Sequence, residues 1–435
     1  MSDIEIGIIG FAALFVLLAL RMPVATAMML VGFLGHLVLN ERGALPSLAG
    51  EAFHIPHVMS LTILPLFILM GNLAGISGMS RDLYDAAYAW FGHWRGGLAS
   101  STIIGCAGFS ALSGSSLASA VTMGRVALPE MQRYRYDDKL ATGAIAAGGT
   151  LGILIPPSAG FVVYSILTEE SIGRLFMAGV LPGIMLTGLF VLVILSMTTM
   201  NPELGPAAGT SMPIRGRINA LGRASWIIGI IIITIGGIYG GVFSATEAAG
   251  IGAILSFMVA AFRRAITWKT LTGVLMETLR STATTFLILI GAFVFTPFVA
   301  LSGIPGALLD LLTQISPNPF FILTIILVFF VLLGTFMEGF AILVLALPLV
   351  QPVLEQLGFN MVWFGVLMVI VLEMGLISPP VGVNVFVVKS IAENVRMNDI
   401  FKGIFPFWIA MGVALIILVL FPDIAMFLPN TMYGG

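Results

Sequence analysis

Charge is what this sequence has least of. Of its 435 residues only 9% are charged, 19 basic and 21 acidic, while 59% are hydrophobic. A soluble chain carries roughly 25% charged residues, so a water-facing globular surface is excluded for most of the length. The net charge of −2 and the lack of a basic run exclude nucleic acid as a partner. A single cysteine excludes an intrachain disulfide. Cys106 lies in an apolar stretch and reads as a small packing residue. The phosphate-binding run Gly-x-x-x-x-Gly-Lys-Ser/Thr is missing, because Lys269-Thr270 and Lys389-Ser390 lack the glycines, and so is His-Glu-x-x-His. Neither ATP hydrolysis nor zinc chemistry is encoded, which leaves an ion gradient as the energy source.

What the chain does have is long apolar runs. Nine or more reach the roughly 18–20 residues needed to cross a bilayer. The pattern predicts an all-α polytopic membrane protein with the lipid bilayer as its surroundings. The start, Met-Ser-Asp-Ile-Glu, carries no positive charge and Arg21 follows the first run. That order predicts a retained first helix with its start outside, not a signal peptide. Spanning helices are predicted near 4–20, 22–39, 58–77, 138–168 and 172–199, then near 224–242, 245–262, 280–302, 361–391 and 401–422. Amphipathic pieces near 43–56, 80–93 and 266–279 read as arms along the membrane surface. The polar, Pro- and Gly-containing segment 200–223 reads as a linker.

An internal repeat organises these elements. Gly152-Ile-Leu-Ile-Pro156-Pro157 returns 223 positions later as Gly375-Leu-Ile-Ser-Pro379-Pro380, and Pro129 returns as Pro352. Each double proline interrupts a long apolar segment and must break a helix there. Around the breaks, Gly148-Gly149-Thr150 and Gly375 read as parts of unwound links between half-helices. Two further segments, 95–133 and 317–357, are apolar but interrupted at mid-length. The interruptions are Ser113-Gly114-Ser115-Ser116 and Gly334-Thr335-Phe336-Met337-Glu338-Gly339. Both read as re-entrant hairpins. With this topology every Lys and Arg except Arg42 and Arg174 falls on the inner side, as cytoplasmic loops require. Five crossings per half give the two repeats opposite orientation, and both chain termini then lie outside. Inverted repeats with paired broken helices mark a transport site in many secondary transporters.

Unwound backbone at membrane depth is tolerated where it lines a cavity. Its carbonyls suit a hard cation such as Na⁺, and the amide ends of half-helices suit an anion. The hairpin tips bring the hydroxyls of Ser110, Ser113, Ser115 and Ser116 to the same depth. Glu338 and Glu373 are intramembrane carboxylates and imply a partner or a cavity. Arg125 reads as such a partner or as an interfacial snorkeller. Glu247 reads as a helix N-terminal capping group. One enzyme signal competes: Gly75-Ile-Ser77-Gly78 matches the Gly-x-Ser-Gly of intramembrane serine hydrolases. Its required partner is absent from mid-membrane, since His36, His54, His57 and His93 fall at helix ends or arms. Gly78 reads instead as the end of a helix.

Taken together, Ser110-Ala-Leu-Ser-Gly-Ser-Ser116, Ala245-Thr-Glu-Ala248, Ile155-Pro-Pro157 and Ile377-Ser-Pro-Pro380 resemble the large membrane subunit of tripartite ATP-independent periplasmic (TRAP) transporters. The resemblance spans essentially the whole chain. It departs at Ser244-Ala245-Thr246-Glu247-Ala248, where that family usually has Thr-Pro-Thr-Glu-Ala. The resemblance implies an elevator-type protein of the ion-transporter superfamily, with scaffold parts at 1–94 and 224–316 and transport parts at 95–199 and 317–435. It implies Na⁺-driven import of organic anions across the bacterial inner membrane. It also implies a separate small membrane subunit of four helices and a periplasmic substrate-binding protein. By position, one sodium site maps onto Ser110, Ser113, Gly152, Ile155 and Pro157, and a second onto Gly334, Gly375, Ser378 and Val381. Substrate is expected between the tips and breaks, at Ser115, Ser116, Pro156, Thr335, Glu338 and Pro379. A stand-alone sodium–dicarboxylate symporter of the same superfamily is the alternative transporter reading.

Overall fold

The computed structural model describes residues 2–207 and 211–432, and among these there is no β-strand. Residues 208–210 of the expected linker and the outermost residues at both ends, whose side of the membrane the sequence predicts, lie outside the described residues. The first half runs through α1 (Asp3–Ala19), α2 (Val24–Leu39), α3 (Glu41–His54), α4 (Ile63–Ile76), α5 (Met79–Phe91), α6 (Gly97–Ser113), α7 (Ser116–Arg133), α8 (Asp138–Leu154), α9 (Ala159–Thr168) and α10 (Ile172–Met200). Helix α11 (Ile214–Arg223) leads into the second half. There follow α12 (Ser225–Tyr239), α13 (Ala245–Phe262), α14 (Trp268–Leu301), α15 (Ile304–Ile315), α16 (Pro319–Gly334), α17 (Gly339–Gln356), α18 (Met361–Leu376), α19 (Val383–Ile391), α20 (Met397–Leu420) and α21 (Asp423–Met432).

Local chemistry sets the boundaries. Ser2 with Glu5 and Ser244 with Glu247 form capping boxes at the starts of α1 and α13, each satisfying two otherwise orphan amides. Asp137, Ser158 and Asn360 cap α8, α9 and α18 with side-chain oxygens. The elbow between α4 and α5 turns through 67° at Gly78, whose φ is +78°, a conformation that glycine adopts without steric cost.

The centre of the molecule is α18. All its residues from Met361 to Leu376 are buried, as an all-round apolar helix demands. Around it α8 is buried over nearly its whole length and packs against α6, α7 and α20. Small residues bring these helices together: a methyl added at Gly143 would strike the Gly403 carbonyl, and one at Gly149 would lie 2.8 Å from Cβ of Ala120. On another side α14 lies along α2, with Gly32 facing Phe295 Cα at 2.7 Å and Gly291 facing the Ala25 carbonyl at 2.7 Å by the same measure. Such backbone-close packing drives association where apolar burial against lipid gives no advantage.

Several expectations need correction. The arm at 266–279 and the span at 280–302 form one helix of 34 residues. A Thr267–Thr270 capping box starts it, and no proline interrupts it before Pro297, so nothing breaks it between arm and span. The linker is not wholly irregular: α11 occupies 214–223, and the Gly205 and Leu204 carbonyls accept from the Gly96 and Asp137 amides. Helices α15 and α21 were not anticipated. Gly148-Gly149-Thr150 is ordinary helix within α8, and Gly375 lies within α18, so the unwinding is confined to 155–158 and 377–382. Among the described residues five helices are long and apolar enough to cross a bilayer singly, or up to eight if bent pairs are counted. This is a multi-pass membrane protein, although α1 and α2, at 17 and 16 residues, fall just short of the usual length.

Among the described residues the Asp82–Arg263 pair, 2.5 Å apart, ties the α4–α5 elbow to the end of α13. Arg263 also donates to the Ser77 carbonyl at 3.3 Å. Both side chains are mostly buried. Arg263→Ala leaves Asp82 unpaired and is expected to cost about 1–3 kcal/mol, between surface and buried pairs. A lower thermal unfolding midpoint of the purified chain, partly restored by Asp82→Asn in the same molecule, checks this.

Candidate functional site

Proline arithmetic builds the site. In an unbroken helix the carbonyl of residue i accepts from the amide of i+4. Pro156 and Pro379 have no amide hydrogen, so the carbonyls of Gly152 and Gly375 lose that donor in both halves. Ile153 and Leu376 lose theirs to Pro157 and Pro380 in the same way. Part of the deficit is met locally. Ser158 donates its hydroxyl to the Ile153 carbonyl, and the Ser378 amide reaches the Gly375 carbonyl at 2.9 Å. In both halves the Pro–Pro bond is cis.

A hairpin tip sits on each of these glycines. Helices α6 and α7 meet at Gly114, φ +58°, and Ser115 caps α7 by accepting from the Ala118 amide at 3.4 Å. A methyl on Gly152 would lie 2.5 Å from the Ser115 carbonyl oxygen and 2.6 Å from the Ser116 nitrogen. The Gly114 carbonyl accepts from the Ala159 amide at 3.3 Å, so the tip spans the break from Gly152 to α9. In the second half, a methyl on Gly334 would lie 2.7 Å from Gly375 Cα. Ser110, Ser113, Gly152, Ile155 and Pro157 therefore share one neighbourhood, and Gly334 and Gly375 another. Val381 lies in the second break, beside Gly382 with φ +62°.

The side chains add a hydroxyl cluster. Ser113 and Ser119 hydroxyls are 2.8 Å apart, Ser110 and Ser119 3.5 Å, and Ser110 donates to the Cys106 carbonyl at 2.6 Å. Ser119 was missed by sequence reasoning; the signal was its place one helical turn after Ser116 on the same face. Ser378 donates to the Met374 carbonyl at 2.6 Å and accepts from the Trp408 indole at 2.9 Å. Trp408 gives no local signal, being 30 residues from its partner. Thr335 donates to Leu332 at 2.8 Å within its own helix turn. Glu373 and Asn384, on either side of the second break, are buried with no hydrogen-bond partner for either terminal side-chain atom. Asn384 was also missed, though a lone amide in an apolar helix is itself a signal.

The halves differ in closure. Pro156 and Pro157 are buried beneath the first tip, whereas Pro379 and Pro380 are exposed. The second tip is a longer turn, and Glu338 heads α17 without making a side-chain cap. Glu338 faces a cleft of about 920 Å³ between the second hairpin and the helices α1, α2 and α14, with Phe15, Pro23, Thr284 and Phe336 on its walls. Ser115, Ser116 and Pro156 are not among the residues that line this cleft. Arg125 is exposed on α7 and lines a separate polar cavity with Arg81 and Glu130, as a snorkelling side chain does, rather than pairing with an intramembrane acid. Ser77 donates to the Ala74 carbonyl at 2.7 Å and accepts from the Met79 amide at 3.3 Å. Its hydroxyl closes a helix end, which is not the setting of a nucleophile.

The sequence profile described as the tripartite ATP-independent periplasmic transporter, DctM component, matches residues 11–424. The chain is 34% identical over 385 residues to the C4-dicarboxylate TRAP transporter large permease protein DctM of Pseudomonas aeruginosa, covering 88% of this chain and 89% of that one. It is 32% identical over 443 residues to the DctM protein of Rhodobacter capsulatus, covering 98% and 99%. In fold it is similar to the YdaH transporter of Alcanivorax borkumensis, with a TM-score of 0.62, 15% identity and coverage of 88% and 90%.

Gly152→Ala and Gly375→Ala test the seating of the tips. By helix propensity alone each change favours the helix by up to about 1 kcal/mol. Overpacking against the tip costs about 1–3 kcal/mol, so each tip is expected to lift without unfolding. A Ser115→Cys reporter should then react roughly tenfold faster with a water-soluble thiol reagent in the Gly152→Ala background. Native Cys106 is fully buried and stays silent.

Proposed function

Because the chain belongs to the DctM component family of tripartite ATP-independent periplasmic transporters, we propose that it is the translocating subunit of a Na⁺-coupled, binding-protein-dependent importer of an organic acid anion. It is a transporter subunit and makes or breaks no covalent bond. Its partners in this reading are a separate four-helix membrane subunit and a periplasmic binding protein that captures and delivers the substrate. The setting is the bacterial inner membrane, with both chain ends on the periplasmic side. Residues 1–94 and 224–316 act as the scaffold, and 95–199 and 317–435 as the part that moves. The two parts derive from an inverted repeat, each half supplying one hairpin and one broken helix.

The observation that carries this reading is the repeated seating of a hairpin tip on a glycine whose carbonyl has lost its helical donor. That geometry gathers backbone carbonyls and serine hydroxyls, the oxygen ligands a sodium ion requires. It also turns the amide starts of α7 and α9 toward one place, which suits a carboxylate. Two features support elevator motion. A cleft of about 920 Å³ opens along part of the boundary between the second hairpin and α1, α2 and α14, while α17 still touches α14 and α15. The closed first break and exposed second break give the two lids unequal engagement, as alternating access requires.

Specificity for a C4-dicarboxylate or another organic acid rests, in this reading, largely with the binding protein. No arginine or lysine among the residues named at the breaks reads a particular anion. Reconstitution of the three components in liposomes tests the coupling. Uptake of the bound acid should fall at least to a tenth, about 1.4 kcal/mol in driving terms, when external Na⁺ is replaced by K⁺ or choline. Equal uptake without Na⁺ removes the coupling from the reading. Uptake by this chain alone, without the other two components, would transfer the assignment to a stand-alone symporter.

A further inference from the structure

A second cavity, of about 460 Å³, lies between α5 and the far end of α7, away from both helix breaks. That volume falls in the range of small-molecule sites, about 300–1,000 Å³. Arg81 and Asp85 of α5 line it together with Arg125, Glu130 and Arg133 of α7. Glu130 holds Arg133 only loosely, at 3.8 Å in an exposed pair. Among the described residues neither Arg81 nor Arg125 enters an ion pair. Tyr84 also stands on the wall. It is 3% exposed, yet its hydroxyl has no hydrogen-bond partner among the described residues. A buried hydroxyl without a partner is costly. On the wall of a polar cavity it points to a ligand that supplies one.

Three guanidiniums against two carboxylates leave one positive charge in the cavity, so its complement carries one negative charge. Guanidinium forks and a tyrosine hydroxyl, arriving from two helices, can surround a tetrahedral oxyanion, whereas a carboxylate presents two oxygens in one plane. A phosphodiester has both the single charge and the tetrahedral shape; a phosphomonoester carries closer to two charges near neutral pH. We propose that this cavity binds the phosphodiester of a phospholipid headgroup in the inner leaflet. Arg125 follows Ser116 by nine residues, about 14 Å along α7, and half of the hydrocarbon core is about 15 Å. With the tip at mid-membrane, Arg125 stands at headgroup level. Val126 and Pro129 on the same wall offer apolar surface to the start of the acyl chains. The inner-leaflet placement rests on the proposed orientation of the chain. A bound headgroup joins Arg81 on α5 to Arg125 on α7, and so clamps the first hairpin to the arm that precedes it.

Titration of the purified full chain in a non-ionic detergent tests this, with dihexanoyl phosphatidylglycerol as the probe and the thermal unfolding midpoint as the readout, at constant ionic strength. The wild-type midpoint should rise saturably. Arg125→Gln is expected to raise the half-saturating lipid concentration about tenfold, the size of one charge-assisted contact. Tyr84→Phe should shift it the same way by about fivefold, the size of one neutral contact. Arg215→Gln, on α11 and outside the cavity, should leave the curve unchanged. A response to glycerol 3-phosphate equal to that of the lipid keeps the phosphate site but overturns the lipid as its source. The site is refuted if the wild-type chain responds to neither probe, or if both variants titrate like it. Should Arg125→Gln fail to fold, Tyr84→Phe decides alone, and an unshifted curve refutes the site. Arg125→Cys checks the orientation separately in intact cells. Labelling from outside by a membrane-impermeant thiol reagent overturns the inner-side placement and leaves the binding result standing.

Discussion

Two missing amide hydrogens per half determine the working part of this molecule. A proline pair removes the donors for the carbonyls one turn upstream, and membrane-depth backbone tolerates that loss only when something polar replaces them. The chain answers by placing a glycine at the deprived position, Gly152 or Gly375, so that another stretch of backbone can come within touching distance. In the first half that stretch is Ser115-Ser116; in the second it is Gly334. A side chain at either glycine would keep the tip away from the break. The helix break and the hairpin act together: glycine lets the tip sit against the break, and in the first half the Ala159 amide donates to the Gly114 carbonyl of the tip.

The device is not equally tight in its two copies. The first tip is a two-residue turn with a glycine in the left-handed region and a serine cap, and it reaches across to the Ala159 amide. The second is four residues long from Thr335 to Glu338 and has no side-chain cap. A capped tip leaves fewer orphan amides and resists opening, whereas an uncapped one lifts at lower cost. Exposure follows the same order, with Pro156 covered and Pro379 open. In the proposed function, two lids of unequal stability give a direction to opening that two identical lids would not.

Much of this was legible because the decisive signals are local. Ser113-Gly114-Ser115-Ser116 marks a turn by composition, and Pro156-Pro157 breaks a helix by stereochemistry, whatever the rest of the chain does. The helix breaks fell where the prolines are, but their upstream extent did not, since Gly148-Gly149-Thr150 stayed helical. Glycine in a buried helix reports close packing as readily as unwinding, and here Gly148 faces Cys106 and Gly149 faces Ala120. The continuity of α14 was missed for a related reason. A change from amphipathic to apolar sequence alters a helix's surroundings without altering its backbone. Contacts distant in sequence had no local trace at all. Trp408 on Ser378 within the second half and Tyr164 on the Met361 carbonyl at 2.7 Å across the halves join residues that only the folded chain brings together.

So apolar a protein nevertheless keeps an acid, Glu373, in its most buried helix. Every other residue of α18 can be satisfied by packing, and a leucine in place of Glu373 would give a core with no unpaired polar group. The acid is therefore a cost in stability that packing does not need. Such costs persist where a group works in more than one state of the molecule. Residues that only hold a fold together face the same neighbours throughout. An acid buried in α18 faces different electrostatics depending on what lies beside it.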